Sequence, residues 1–249
     1  MEYLRLVKDA DEWALPPDSW IGSMPASTRS DTQARAFQHG SVKTGSGKVA
    51  ERVLPLSILV SAATQAEYLA KVDEIKRRLY RENQRLYIAP DRHINLAVLD
   101  SLEEKFDKGF LLRQAVLTAE YKCTDPFWHA PPTTMTVSAT GAPRVFTVSN
   151  GGNVDTAPVI TVTAPASGAV PDVRISNAAN GRESVFRDPR LANGASVVID
   201  SAAGTVALAG GNAVNAFYGA FPRLEPGNNL LTYTGARCTI QIAYERRWL

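Results

Sequence analysis

Residues 132–249 contain no apolar helical period. In "RCTIQIAYE" (237–245), Cys238, Ile240, Ile242 and Tyr244 fall on one side of an extended chain. Arg237, Thr239, Gln241 and Glu245 fall on the other. Side chains alternate across a strand with period two, so this pattern gives one buried and one solvated face. The same arrangement recurs in "RVFTVSN", "PVITVTA", "DVRISNAANGRESVF", "ASVVID", "GTVALAG" and "NLLTYTG". Turn residues separate these runs, and "NG" at 180–181 is a hairpin signal. Short strands at this spacing predict a β-sandwich or jelly roll of about 110 residues.

The first half reads differently. "VLPLSILV" (53–60) is a strand candidate, and "TQAEYLAKVDEIKRRLYRE" after it is helical. Thr64 and Glu67 have capping-box spacing, and Leu69, Val72, Ile75 and Leu79 make one apolar stripe. Lys76, Arg77, Arg78 and Arg81 gather where the helix dipole favours cations. "RLYIA" (85–89), "INLAVLDSLEEKF" (94–106) and "FLLRQAVLTAEYKC" (110–123) read as further strands, with "DKG" (107–109) as the turn between the last two. Residues 9–50 have loop-like composition.

Solvent-facing chemistry changes near residue 131. All eight lysines lie at or before Lys122, and 12 of the 17 glycines lie after residue 131. Prolines at 126, 131 and 132 interrupt any ladder there. The expected fold is therefore mainly β with one principal helix near 64–81, in two domains, 1–130 and 131–249.

"YKCTDPFWHAPP" (121–132) gathers Cys123, Asp125 and His129 at that boundary. A catalytic cysteine needs a depressed pKa and a histidine in reach. Cys123 instead continues an alternating face with Ala115, Leu117, Ala119 and Tyr121, the ordinary setting of a small buried hydrophobe. With two cysteines and three histidines at no finger-like spacing, neither a zinc site nor a disulfide framework is expected. Phe127 and Trp128 are candidates, with Cys123, for packing at the domain junction.

"KTGSGKVAERVLP" (43–55) contains G-x-G-x-x-A, but it leads into a strand rather than a helix. No helix N-terminus is then available for a pyrophosphate, and a flexible loop is the simpler reading. Glu103 and Glu104 are adjacent on a strand, so they point to opposite faces and cannot share a proton; a solvated hairpin is expected. No catalytic, cofactor or metal residue is assigned, and no enzyme is expected.

The formal charge of +2 does not argue for nucleic acid or an anionic membrane. The longest mostly apolar run (53–63) is far short of the ~20 residues a membrane span needs. Charged residues at 2–12 interrupt any signal-like core, so no targeting segment and no membrane partner are expected.

"FTVSNGGNVDTAPVITVTA" (146–164), "DVRISNAANGRESVF" (172–186), "GASVVIDSAAGTVAL" (194–208) and "FPRLEPGNNLLTYTG" (221–235), closing in "IQIAYERRWL", resemble the C-terminal domain of siphophage distal tail proteins, the Dit or phage tail component family. The first half is similar to that family's N-terminal domain, which ends in a "C-x-D-P-F/W" segment. The most specific pieces are Asn150-Gly151-Gly152 with Pro158, and Pro226 to Leu230. Gly151 and Gly152 permit a turn, and Pro226-Gly227 suits a type II turn.

The resemblance implies a structural virion protein at the tail tip, made in the host bacterial cytoplasm. Its N-terminal domain would form a ring, usually homohexameric, and its C-terminal domain would be a galectin-like β-sandwich. The implied partners are the tail tube protein, a tail-tip hub or tail-associated lysin, and receptor-binding or fibre proteins. DNA would pass through the lumen without specific binding. Trp13, Trp20 and Phe37 mark residues 9–50 as a candidate inter-subunit segment. No large insertion is present to house a carbohydrate-binding module, which argues against direct recognition of the host surface. The competing reading is a carbohydrate-binding jelly-roll module acting in host adsorption, resting on exposed aromatics.

Overall fold

The computed structural model describes residues 4–106 and 113–249. The turn expected at 107–109 lies outside them. The described chain is mainly β with one α-helix, and it divides into two compact units, residues 1–128 with Leu249, and 129–248.

The first unit contains β1 (Arg5–Lys8), β2 (Asp11–Ala14), β3 (Ser19–Ile21), β4 (Thr28–Ala34), β5 (Ser41–Val49) and β6 (Arg52–Ser61). Helix α1 (Gln65–Leu79) follows, then β7 (Gln84–Ala89), β8 (Arg92–Leu96), β9 (Val98–Phe106) and β10 (Gln114–Cys123). Strands β2, β1, β7 and β8 pair in that order. A second sheet runs β3-β6-β10-β9, with all three pairings antiparallel. Buried Leu54, Leu56, Ile58 and Val60 of β6 meet the same face of the sheet as Ala115, Leu117, Ala119, Tyr121 and Cys123 of β10.

Helix α1 lies over that face. Its N-cap Thr64 accepts a hydrogen bond from the Glu67 N–H at 3.2 Å, and Glu67 accepts from the Ala63 N–H at 3.2 Å. The reach is one residue further back than in a standard capping box. The buried stripe is Tyr68, Val72, Ile75 and Leu79. Leu69, expected in it, is exposed. One residue of offset rotates a side chain by about 100°, and the helix turns Tyr68 toward the sheet, where its hydroxyl donates to Glu104 at 2.5 Å.

Three other expectations in this half need correction. Residues 9–50 are largely strands rather than loop: β2 and β3 join the two sheets, and β4 with β5 forms a separate two-stranded hairpin. The glycine-rich stretch is likewise part of strand β5. Its ladder shifts register at Thr28/Ser30, with Ser30 opposite Gly45. Gly45 has φ +85°, and a Cβ there would lie 2.6 Å from the Arg29 carbonyl oxygen, so glycine is required by both conformation and space. Finally, 94–106 is two strands in two sheets. Ala97 is the switch, its N–H donating to the Lys122 carbonyl and its own carbonyl accepting from Asn83 N–H.

The second unit contains β12 (Thr133–Ala139), β13 (Arg144–Asn150), β14 (Val159–Thr163), β15 (Asp172–Asn177) and β16 (Arg182–Arg187), after the two-residue β11 (Trp128–His129) at the division. Then come β17 (Ser196–Asp200), β18 (Thr205–Leu208), β19 (Gly211–Asn212), β20 (Phe217–Gly219), β21 (Gly227–Gly235) and β22 (Cys238–Tyr244). One sheet runs β12-β22-β14-β17-β18-β19, the other β13-β21-β15-β16-β20. Val162, Val197, Ile240 and Ile242 of the first share one core with Phe146, Ile175, Phe186 and Tyr233 of the second. Two sheets closing on one apolar layer make a β-sandwich. The alternation of β22 is preserved, with Cys238, Ile240, Ile242 and Tyr244 all buried. The hairpin at "NG" forms between β15 and β16 with a longer connection, 178–181, in which Gly181 has φ +67°. Strand β12 is a further strand beyond the expected runs, with Met135, Val137 and Ala139 alternating on its inner face.

Candidate functional site

A groove lies between α1 and β2, and the β4–β5 hairpin is exposed.

Cys123 is fully buried, and burial pushes its thiol up to about 12, far from the depressed value a nucleophile needs. Asp125 accepts a hydrogen bond from the Phe127 N–H at 3.2 Å, an Asx turn that ends the strand. His129 Nδ1 lies 3.1 Å from a Glu245 carboxylate oxygen. Trp128 is buried and Phe127 half-buried. Glu104 is not solvated as expected: it receives the Tyr68 hydroxyl and, at 2.7 Å, the Lys76 ammonium, while Glu103 faces away and pairs with Lys105. Among the described residues no group of three His, Cys, Asp or Glu side chains is placed to hold a metal ion, and no helix is long and apolar enough to cross a membrane.

The three aromatics of the candidate inter-subunit segment sit on three different elements. Trp13, on β2, is half-buried with the Arg78 guanidinium 5.3 Å from its ring. Asp11 of the same strand pairs with Arg81 and Arg78. Trp13 is thus held against the C-terminal part of α1. Beside it a groove of about 580 Å³ runs between Trp13, Pro16 and Pro17 on one side and Ala70 and Ile75 of α1 on the other. Trp20, on β3, is 43% exposed. Phe37 stands at the tip of the β4–β5 hairpin, fully exposed, with φ +59°. All of β4 is exposed, and among the described residues the hairpin pairs with no third strand.

In the sandwich, a buried asparagine network explains the two most specific sequence pieces. Asn229 and Asn150 are fully buried, and Asn177 nearly so. Asn177 donates to Asn229 Oδ1 at 2.9 Å and to the Arg223 carbonyl at 2.8 Å. Asn150 donates to the carbonyls of Val154 and Leu224 and accepts from the Gly152 N–H. These side chains fasten the 221–229 loop to strands β13, β15 and β21. Gly227 has φ +90°, the positive value that the third residue of a type II turn requires. Gly152 is needed for space rather than for a positive φ: a Cβ there would lie 2.2 Å from the Arg247 carbonyl oxygen. The Gly-Gly signal was legible, but its partner 95 residues away was not.

Residues 151–248 match the family model of the siphovirus-type tail component, C-terminal domain. No curated protein matches the chain in sequence. Among solved structures, the whole chain is similar to the SPP1 Dit (gp 19.1) protein, described as a paradigm of the hub adsorption apparatus in phages infecting Gram-positive bacteria. The TM-score is 0.72 at 17% identity, covering 99% of each chain. The phage P2 baseplate in its activated conformation with Ca gives a TM-score of 0.40 at 9% identity over 98% of each chain. Residues 151–248 thus match the C-terminal domain of the siphovirus-type tail component, on a chain whose fold is similar over its full length to that of SPP1 Dit.

Proposed function

We propose that the protein is the structural hub at the distal end of a siphophage tail. In this reading copies of the first unit close into a ring, of six by the family's usual stoichiometry, stacked on the last ring of the tail tube. The galectin-like sandwich carries or contacts baseplate, receptor-binding or fibre proteins, and a tail-tip hub or tail-associated lysin sits below. DNA passes through the lumen without specific contacts, and the role is non-enzymatic. The observation that carries the reading is the whole-chain fold likeness to SPP1 Dit, joined to the family match of residues 151–248. The β4–β5 hairpin supports it. A two-stranded hairpin alone is marginal in water, so one that pairs with no third strand among the described residues suits contact with another chain.

Electron microscopy of the purified protein tests this, with closed rings expected. A protein that remains monomeric by light scattering across a broad concentration range, and forms no rings on grids, would sink the reading.

A further inference from the structure

We infer that the outer edge of β12 (Thr133–Ala139) is a pairing surface for the same strand of a second copy of this chain, the two joining antiparallel about a two-fold axis at Thr136. The contact lies on the second unit and does not depend on the hub reading.

An open sheet edge presents unpaired N–H and C=O groups that another strand can take up, and folded chains guard such edges with charge or shortness. Edge strand β2 carries Asp11 and Glu12, and β9 carries Asp100, Glu103, Glu104 and Lys105. Edge strands β3, β19 and β20 are two or three residues long. Strand β13, the edge of the facing sheet in the sandwich, carries Arg144. Strand β12 has none of these guards. It ends its sheet, pairs only with β22 among the described residues, and runs for seven residues with no charge, proline or register shift. Among the described residues no hydrogen bond engages its outer side.

The pattern of β12 also matches itself. Thr134, Thr136 and Ser138 are exposed on one face, while on the other Val137 and Ala139 are buried and Met135 packs against the core. With the axis at Thr136, that residue meets its own copy, Thr134 meets Ser138, and Met135 meets Val137. Opposed residues share a face of the sheet, so hydroxyl meets hydroxyl outside and apolar meets apolar inside. Thr–Thr and Thr–Ser pairs across strands are favourable, and no like charges are brought together. A register one residue away would set an exposed threonine against a buried side chain, so the alternation rejects it. Registers two residues away keep the faces matched but shorten the ladder. Both copies use the same patch, so the contact is isologous and closes as a pair. Main-chain hydrogen bonds then join the two sheets into one, as in other cases of strand addition.

The test uses full-length variants. Thr136→Cys under mild oxidation should give a disulfide-linked dimer, because the axis sets the two thiols opposite each other. Gln241→Cys is the control. It is exposed beside Thr136 on β22, but its copy would lie three strand spacings away, about 14 Å, beyond disulfide reach. Cys123 and Cys238 are buried and do not compete. Thr136→Lys sets like charges face to face and should weaken association in sedimentation about tenfold or more. Its thermal unfolding should stay that of the parent, since the position is exposed. A Thr136→Cys protein that remains single-chain overturns the pairing. So does a cross-link of equal yield in both cysteine variants, or a lysine variant that sediments as the parent does. Ring closure through the first unit is read separately on grids of the same lysine variant, so failure of one proposal does not carry the other with it.

Discussion

Asn229 holds Glu225 at both backbone ends. Its Oδ1 accepts the Glu225 N–H at 2.8 Å, and its Nδ2 donates to the Glu225 carbonyl at 2.8 Å. A side-chain amide here stands in for a strand partner, closing the Pro226–Gly227 turn from inside. Asn177 then joins the same Oδ1 from a neighbouring strand. The loop's shape therefore depends on one buried side chain that has no water to replace it.

Asn229→Ala should destabilise the sandwich by about 3 kcal/mol. It orphans the Glu225 backbone groups and one Asn177 donor, each costing about 1–3 kcal/mol when buried, offset by local relaxation. Chemical denaturation followed by tryptophan and tyrosine fluorescence reads this directly. A midpoint within error of the parent would mean the network is ornamental. Asn228→Ala, at the exposed neighbouring position, is the control and should change stability by less than ~0.5 kcal/mol.

The two glycines at 151 and 152 should behave oppositely. A Cβ at 152 meets the backbone oxygen and nitrogen of Arg247 at 2.2 and 2.8 Å, and backbone cannot step aside as a side chain can. At 151 the nearest atom is the flexible Arg246 Cδ at 3.6 Å, an ordinary contact. Gly152→Ala is expected to cost about 2 kcal/mol or more, and Gly151→Ala close to none. Equal melting temperatures for the two variants would refute the close approach.

The elements legible in the sequence are those whose causes are local. Helix α1 follows from Thr64, its cap, and an apolar recurrence within four residues. Strand β22 follows from strict alternation. The choice of Tyr68 over Leu69 was not legible, because the sheet underneath sets the helix's rotation. Nor was the strand character of 43–49, because its glycines shape a register shift against Arg29 and Ser30, which lie on another strand. Ala97 looks like any residue in an apolar run until the two sheets it connects are known. At the candidate site the same division holds. Phe37 and Trp13 could be flagged as aromatics in a polar stretch, but the groove beside Trp13 exists only when β2 and α1 meet. The turn at Pro226–Gly227 was legible, while the Asn177–Asn229 bond spans 52 residues.

Glu104 gives the first unit a pH-dependent component. Burial alone would raise its carboxyl, but hydrogen bonds from Lys76 and Tyr68 together outweigh that and hold it below the ordinary glutamate value of 4.5. A carboxyl whose folded pKa is depressed contributes stability that is present above the unfolded pKa and is lost as pH falls through the folded one. Glu104→Gln should therefore cost about 1 kcal/mol at neutral pH, discounted for water access to Lys76, and the difference should shrink as pH falls below 4.5. Denaturation midpoints of parent and variant at neutral and acidic pH read this. A difference that persists undiminished in acid would show that the ionised carboxylate is not its source.

Cys123 and Cys238 should be inert in the folded protein. Both thiols are raised by burial, Cys123 to about 12, so almost no thiolate exists at neutral pH and no reagent reaches the sulfur. Labelling with iodoacetamide near pH 8, followed by intact-mass measurement, should show no adduct on the native chain. In guanidinium chloride, where each thiol returns to the usual ~8.5, two adducts should appear. Because exchange with solvent requires opening of β10 or β22, the labelling rate in intermediate denaturant should follow the stability of each unit separately. Rapid native labelling of Cys123 would contradict its place in the core and reopen the Cys-Asp-His stretch as chemistry.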